Sequence, residues 1–353
     1  MRNFYITFLA ALCHLAVDSQ TLSNPGLGDS LFPVTGKYYQ YVSSSEATNY
    51  QHINFGVFKT GGKFLVNGEF QNWADNNGSS LLVDTVNNNI INNRKWRING
   101  EVRTAVPDGQ GGFFIGGDFT SIGDSSRKYI AQITATGKPT SWKPVTDSFV
   151  NVILKRNDTL FIGGVFTVFG GSARPRFAMY KTTGTLLYHG GTGAFNSLYS
   201  INDLLLKNDT LIIGGSVQNG TENVRKYNFK NYYALPWATP FIDYAEVKHL
   251  AYSSDGSVLI YSGDFNGDFM KGVSNGTGAE VYYYNISLGS NTGHVKGLKT
   301  SGSKVFAYGD FVNQSTNSGS SNRRGIFAFN GNTGVVFPDN LNLNGFVSFM
   351  HVE

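Results

Sequence analysis

Gly111-Gly112-Phe113-Phe114-Ile115-Gly116-Gly117-Asp118-Phe119-Thr120 is one of six similar segments in a chain of 353 residues. The other five cover residues 61–70, 159–167, 210–217, 258–265 and 304–311. All six align on one glycine, which is Gly68, Gly117, Gly164, Gly215, Gly263 or Gly309, at spacings of 49, 47, 51, 48 and 46 residues. Each has an apolar run before that glycine and an apolar residue two places after it. Self-similarity at such a spacing defines a repeat architecture and has to be read before any single element.

Each copy reads as a small antiparallel sheet. A first strand such as residues 151–154 leads into a turn signal, Asn157-Asp158, Asn208-Asp209, Asp255-Gly256 or Ser301-Gly302, that suits a tight hairpin. The second strand is the apolar run. Its unbroken character in Leu160-Phe161-Ile162 and Leu211-Ile212-Ile213 implies burial on both faces, whereas a sheet with one face in water would alternate. A polar loop follows, then a third strand such as residues 129–133 or 326–329. Next comes a Thr-Gly turn at Gly137, Gly184 or Gly334, and an outer stretch opening on Trp96, Trp142, Phe195, Trp237 or Phe337. Four short strands per 45–50 residues, without helical periodicity, are the signature of an all-β fold, a β-propeller of four-stranded blades. The recurrent glycine marks a bulge or a close backbone approach that leaves no room for a Cβ.

The composition agrees. Only 15% of residues are charged, against about 25% in average soluble domains, while 27 Phe, 19 Tyr and 4 Trp supply core material that a disordered chain lacks. A net charge of +4 without basic runs argues against a phosphate-binding surface, so no nucleic acid partner is expected. Residues 1–19 read as a signal peptide, with Arg2 ahead of a short apolar stretch and small residues before Gln20; no membrane insertion is expected once it is removed. Its loss would take away Cys13, the single cysteine, and with it disulfides and thiol chemistry. Residues 20–53 form an N-terminal segment and residues 54–353 the propeller, with an incomplete last blade whose inner strand is residues 346–352. Either residues 37–43 complete that blade and close the ring, or the sequence is a fragment; seven blades are expected when complete, with six recognisable here.

The run Gly116-Gly117-Asp118-Phe119-Thr120-Ser121-Ile122-Gly123, with Arg127-Lys128-Tyr129-Ile130-Ala131 and Thr140-Ser141-Trp142-Lys143-Pro144, resembles the delta-sixty type β-propeller repeat of exported bacterial surface proteins. Gly163-Gly164-Val165-Phe166-Thr167, Gly170-Gly171 and Arg174 fall in the same order, and Arg324-Gly325-Ile326-Phe327-Ala328 resembles the third strand of another unit. The likeness covers roughly residues 54–345. It departs where Val165 and Ser216 replace the acidic residue, where Ser262 and Tyr308 replace the first glycine, and where residues 244–293 lack the arginine. The resemblance implies a large exported surface protein without an assigned reaction, located at the cell surface or secreted.

Glu69, Asp118, Asp264 and Asp310 recur at one position of the repeat and so are separated from one another, unlike the paired acids of glycosidases. The expected role is structural, with Arg127 or Arg324 of the following strand as partner. The histidines His52, His189, His249, His294 and His351 show no metal-ligand spacing, and the chain carries no nucleophile elbow or P-loop, so no catalytic residue, metal or cofactor is assigned. Seven Asn-x-Ser/Thr sites, at Asn77, Asn157, Asn208, Asn219, Asn275, Asn285 and Asn313, match what so Asn-rich a chain yields by chance. The loops after the glycine motif, residues 71–80, 121–126, 168–173, 266–278 and 312–323, differ most between copies. Within them Trp73, Phe169, Phe269 and Arg323 are the candidate binding residues, able to stack on a sugar or peptide if exposed and otherwise packed locally. The expected function is a non-catalytic binding or adhesion module taking a glycan or protein ligand through loops on one face. The alternatives are a carbohydrate-active hydrolase or lyase using acids, or an acid with His or Tyr, in a central channel, and a passive segment of a larger surface protein.

Overall fold

The computed structural model describes residues 56–60, 63–67, 80–84, 89–91, 94–187, 195, 197–217, 223–236, 246–264, 268–288, 291–311, 313–316, 319–323 and 325–338. Among them the chain is all-β apart from one short 3-10 turn, Arg94–Trp96. It divides into two compact units, residues 1–143 and 144–353. The signal peptide, the N-terminal segment and the incomplete last blade lie outside the described residues.

Among the described residues unit one holds two larger antiparallel sheets and a small three-stranded one, Ile98–Asn99, Ser121–Ile122 and Ser125–Ser126. The first comprises Gly56–Thr60, Lys63–Asn67, Ser80–Asp84 and Asn89–Ile90; the second comprises Val102–Pro107, Phe113–Gly117 and Ile130–Ile133. Among the described residues unit two holds four larger sheets and the two-stranded Val168–Phe169 with Ser172–Ala173. The third sheet is Val150–Arg156, Thr159–Gly164, Phe177–Lys181 and Leu186–Leu187; the fourth is Leu198–Lys207, Thr210–Val217, Val224–Asn228 and Tyr233–Leu235. The fifth is Glu246–Tyr252, Val258–Asp264, Asp268–Ser274 and Glu280–Leu288, the last of which also pairs with Asn291–Thr292 and with Asn313–Thr316, itself paired with Gly319–Asn322; the sixth is His294–Ser301, Lys304–Asp310 and Ile326–Asn330. In the second and sixth sheets the outer stretch shrinks to a single bridge, Ile133 with Pro139 and Phe329 with Val336.

The turns follow their residue types. Asn157, Asn208 and Gly302 each open a two-residue hairpin with φ of 54°, 54° and 55°. This conformation is open to glycine and tolerated by asparagine. Gly137, Gly184 and Gly334 also have positive φ in the Thr-Gly turns.

Unit two explains the unbroken apolar runs. Leu211 and Ile213 pack on the third sheet with Phe161, Phe177 and Met179, whereas Ile212 between them packs on the fifth with Val247, Leu250 and Leu259. Leu259 and Tyr261 face the fourth sheet in turn, while Val258 and Ile260 face the sixth with Val295, Val305 and Phe329. Successive side chains of a strand point to opposite faces, so a sheet stacked on both sides needs an apolar residue at every position. At roughly 1.5–3 kcal/mol per fully buried aliphatic side chain, this stacking is the main source of cohesion. Phe119, Phe166 and Phe311, two places after the glycine, are fully buried.

The recurrent glycine faces a β-bulge. Each first strand from the second to the sixth sheet slips register opposite the motif, between Val102 and Thr104, Val150 and Val152, Ile201 and Asp203, Val247 and His249, and Val295 and Gly297, and that of the fourth sheet slips once more, between Leu198 and Ser200. The glycine stands opposite. A Cβ on Gly117, Gly164, Gly215, Gly263 or Gly309 would overlap the carbonyl oxygen of Glu101, Phe149, Ser200, Glu246 or His294 respectively. The bulge turns that carbonyl into the space a side chain would need, and Gly68 falls outside the described residues. The departure at Tyr308 is compensated across the strands. Its cross-strand partner is Gly297, where a Cβ would run into the Tyr308 ring, whereas Gly163 pairs with the larger Val152.

Two outcomes are expected in urea unfolding. Gly263→Ala loses about 1–3 kcal/mol or more, because the obstacle is backbone and cannot rotate away. Gly297→Val and Tyr308→Gly each destabilise, while the double variant recovers about 0.5–3 kcal/mol of their summed loss, since it recreates the Val152–Gly163 pairing.

Candidate functional site

In each sheet from the second to the sixth the bulge releases one side chain at the equivalent position of its own sheet, Arg103 in unit one and Asn151, Asn202, Lys248 and Lys296 in unit two. Their identity tracks the acidic position of the motif. Arg103 lies 3.5 Å from Asp118, Lys248 3.6 Å from Asp264 and Lys296 2.9 Å from Asp310. Where Val165 and Ser216 replace the acid, the bulge residue is the neutral Asn151 or Asn202. The acid's partner therefore comes from the preceding strand rather than the following one. Arg127 instead donates to the carbonyls of Thr140 at 2.7 Å and Ser126 at 2.8 Å, and Arg324 lies outside the described residues. The three ion pairs have side chains 28–46% exposed, so each is worth no more than about 1 kcal/mol. Stability does not dictate these three pairs.

In unit two the polar side chains join consecutive sheets. Asn151 Nδ2 donates to the Ile201 carbonyl at 3.1 Å and to Asn202 Oδ1 at 3.3 Å. Asn202 Nδ2 donates in turn to Glu246 Oε1 at 2.8 Å and to the Val247 carbonyl at 3.0 Å.

The residue after each bulge forms a second layer, half-buried at Asp203 and His249. Asp203 accepts the N–H of Leu204 and, from the next sheet, that of Leu250, each at 2.8 Å. Burial pushes its carboxyl up to about 6 against those two bonds and the Lys299 charge. Burial pushes His249 down to about 4, helped by the charges of Lys248 and Lys299 and opposed by a hydrogen bond to the Val295 backbone.

The candidate binding residues are not brought together. Phe169 is fully buried against Phe166 and Tyr180, with ring centroids 5.2 and 5.5 Å away, and Phe269 is buried 6.1 Å from Tyr261. Neither ring offers the exposed face that stacking on a ligand requires. Arg323 donates to the carbonyls of Phe337 and Pro338 at 3.4 and 3.2 Å, clamping the outer stretch of its own copy. Trp73 lies outside the described residues. The loops that carried three of these residues are largely ordered strand. Val168–Phe169 with Ser172–Ala173 and Asn313–Thr316 with Gly319–Asn322 are hairpins, as is the segment Ser121–Ile122 with Ser125–Ser126. Asp268–Ser274 is the third strand of the fifth sheet.

Sequence reasoning missed the bulge row. The exchange of Lys or Arg for Asn wherever the motif loses its acid was the signal that pointed to it. Among the described residues no three His, Cys, Asp or Glu cluster as metal ligands would, and no helix is long and apolar enough to cross a membrane. Compared with models of known protein families and with curated proteins, the chain matches none.

The two half-buried groups set opposite pH trends. Asp203, raised from 3.8 to about 6, adds stability at low pH that is lost as pH rises through about 6. His249, lowered from 6.5 to about 4, adds stability above 6.5 that is lost as pH falls through about 4. The trends offset each other between these limits. Asp203→Asn is expected to show a melting temperature that falls between about pH 6.5 and 4.5, and His249→Gln one that rises, each by on the order of 1–2 kcal/mol of stability. Parallel melting curves across that range in both variants would refute the assignment.

Proposed function

We propose that the chain is an exported, non-catalytic binding module, a β-propeller of the delta-sixty type with seven blades when complete, that engages a glycan or protein ligand at the cell surface. Support for the ring comes from the face-to-face stacking of consecutive sheets at a spacing of 46–51 residues, the relation that neighbouring blades have. The observation that carries the binding reading is the bulge row. One backbone device presents asparagine, asparagine, lysine and lysine at partly exposed positions in the four consecutive large sheets of unit two. Varied polar groups on a repeated scaffold suit recognition. The half-buried Asp203 and His249, an acid and a histidine on consecutive first strands, are the groups a hydrolase or lyase reading would use. Both are engaged by backbone groups of the next sheet, which favours a binding role over proton transfer.

The test is direct. The secreted protein is expected to begin at Gln20, to appear as a ring in electron microscopy, and to bind a glycan array or a cell surface, with binding reduced about tenfold by simultaneous alanine substitution of Lys248 and Lys296 in the consecutive fifth and sixth sheets. Linear particles would remove the propeller. Turnover of an offered polysaccharide would remove the non-catalytic reading.

A further inference from the structure

The fourth sheet differs from the second, fifth and sixth in three ways at one end, the first two of which it shares with the third. Its motif has Ser216 instead of an acid, and its bulge residue is Asn202 instead of a cation. Its first strand also slips register a second time, between Leu198 and Ser200, which no other described first strand does. The residue at that extra slip is Tyr199, 53% exposed. Leu198 pairs with Val217 and Ser200 with Ser216, so Tyr199 stands at the same edge as Ser216 and Asn202. An added bulge redirects a side chain at a local cost in ladder hydrogen bonds, and here the residue it releases is a large, exposed aromatic.

We infer that this sector, formed by Tyr199, Asn202, Ser216 and Glu246, is a subsite for a neutral sugar ring. The inference rests on the binding-module reading above and names its ligand class and place. The Tyr199 ring supplies an apolar face next to polar groups, the combination that suits a pyranose with its C–H face and its hydroxyls. Ser216 brings a hydroxyl that both donates and accepts. The Glu246 carboxylate has acceptor capacity beyond its single bond from Asn202 at 2.8 Å. Asn202 is held by Asn151 and by the Val247 carbonyl, which orients the Glu246 carboxylate before any ligand arrives. The ligand is neutral because charges of both signs surround the sector, the Glu246 carboxylate within it and, beside Tyr199, Arg176 bonded to the Leu198 carbonyl at 3.1 Å and Arg225 bonded to Ser197 Oγ at 2.9 Å, so no net charge favours an anionic or a cationic sugar. The flanking Lys248–Asp264 pair is internally balanced.

The opposite end of the same sheet provides the control. Tyr232 and Tyr233 are 38% and 47% exposed there, next to the Asn208 turn, where the motif rule is not at issue. The full chain is passed over immobilised neutral oligosaccharides of gluco, manno and galacto configuration, and affinity for the best binder is measured in solution. Tyr199→Ala is expected to weaken binding at least tenfold. Asn202→Lys with Ser216→Asp, which installs the ion pair the fifth sheet already accommodates, is expected to abolish it while leaving the melting temperature within a few degrees. Tyr233→Ala is expected to bind as wild type. If wild type binds and both sector variants bind equally well, or if Tyr233→Ala alone loses binding, the subsite is overturned while the binding-module reading stands. Wild-type protein that takes none of the oligosaccharides overturns the subsite, even if it takes a protein partner. Failure to bind any glycan or cell surface overturns both.

Discussion

The structure depends on one carbonyl oxygen per sheet. In each first strand described from the second sheet onward, a bulge swings the carbonyl of Glu101, Phe149, Ser200, Glu246 or His294 into the space where a facing residue would carry its Cβ. The facing position is therefore glycine, and everything near it follows from that contact. The bulge residue is directed to the sheet edge, where it meets either the acid of the motif or another amide. The next residue is directed toward the following sheet, so Asp203 and His249 are half-buried and bonded to backbone beyond their own sheet. A local break in a ladder thus fixes one layer of ion pairs and one of buried polar contacts.

Stacking does the rest. Each second strand of the fourth and fifth sheets serves two neighbours with alternate residues, which is why its central run is apolar. Further ties run between hairpin turns: Arg156 donates to the Asn208 carbonyl, and Lys207 to those of Gly256 at 2.9 Å and Asp255 at 3.3 Å. The residue just before the turn in one sheet holds the turn of the next. The Gly297 and Tyr308 exchange shows how far the scaffold tolerates change, since bulk moves from one strand to its partner while the space it fills is conserved.

Much of this was legible in the sequence because it rests on residue types with narrow uses. Six aligned glycines, apolar runs without alternation and Asn-Asp or Thr-Gly turns each have one physical reading, and the all-β character, the hairpins and the bulge follow from them. Features resting on ordinary residues in special conformations were not legible. Tyr129 and Arg176 enter their third strands with φ of 67° and 66°, a conformation the sixth sheet gives to Gly325, and each exchanges hydrogen bonds with the motif through Gly117 and Phe119 or Gly164 and Phe166. Nothing in a tyrosine or an arginine announces this. Phe169 and Phe269 were read as loop residues because their segments are polar, but a two-residue hairpin and a strand with Asp268, Lys271 and Ser274 bury them nonetheless. The partner of the repeated acid was sought downstream, since a bulge's effect on side-chain direction upstream leaves no mark in composition.

The turn-to-turn ties have a consequence for how such a chain can change over generations. Arg156 and Lys207 each reach only as far as the next copy, so the bonding of a sheet is written in the terms of its immediate successor. Duplication or excision of one whole copy would rejoin chemically matching surfaces instead of tearing a core. The number of copies is then free to drift by recombination while every junction stays intact.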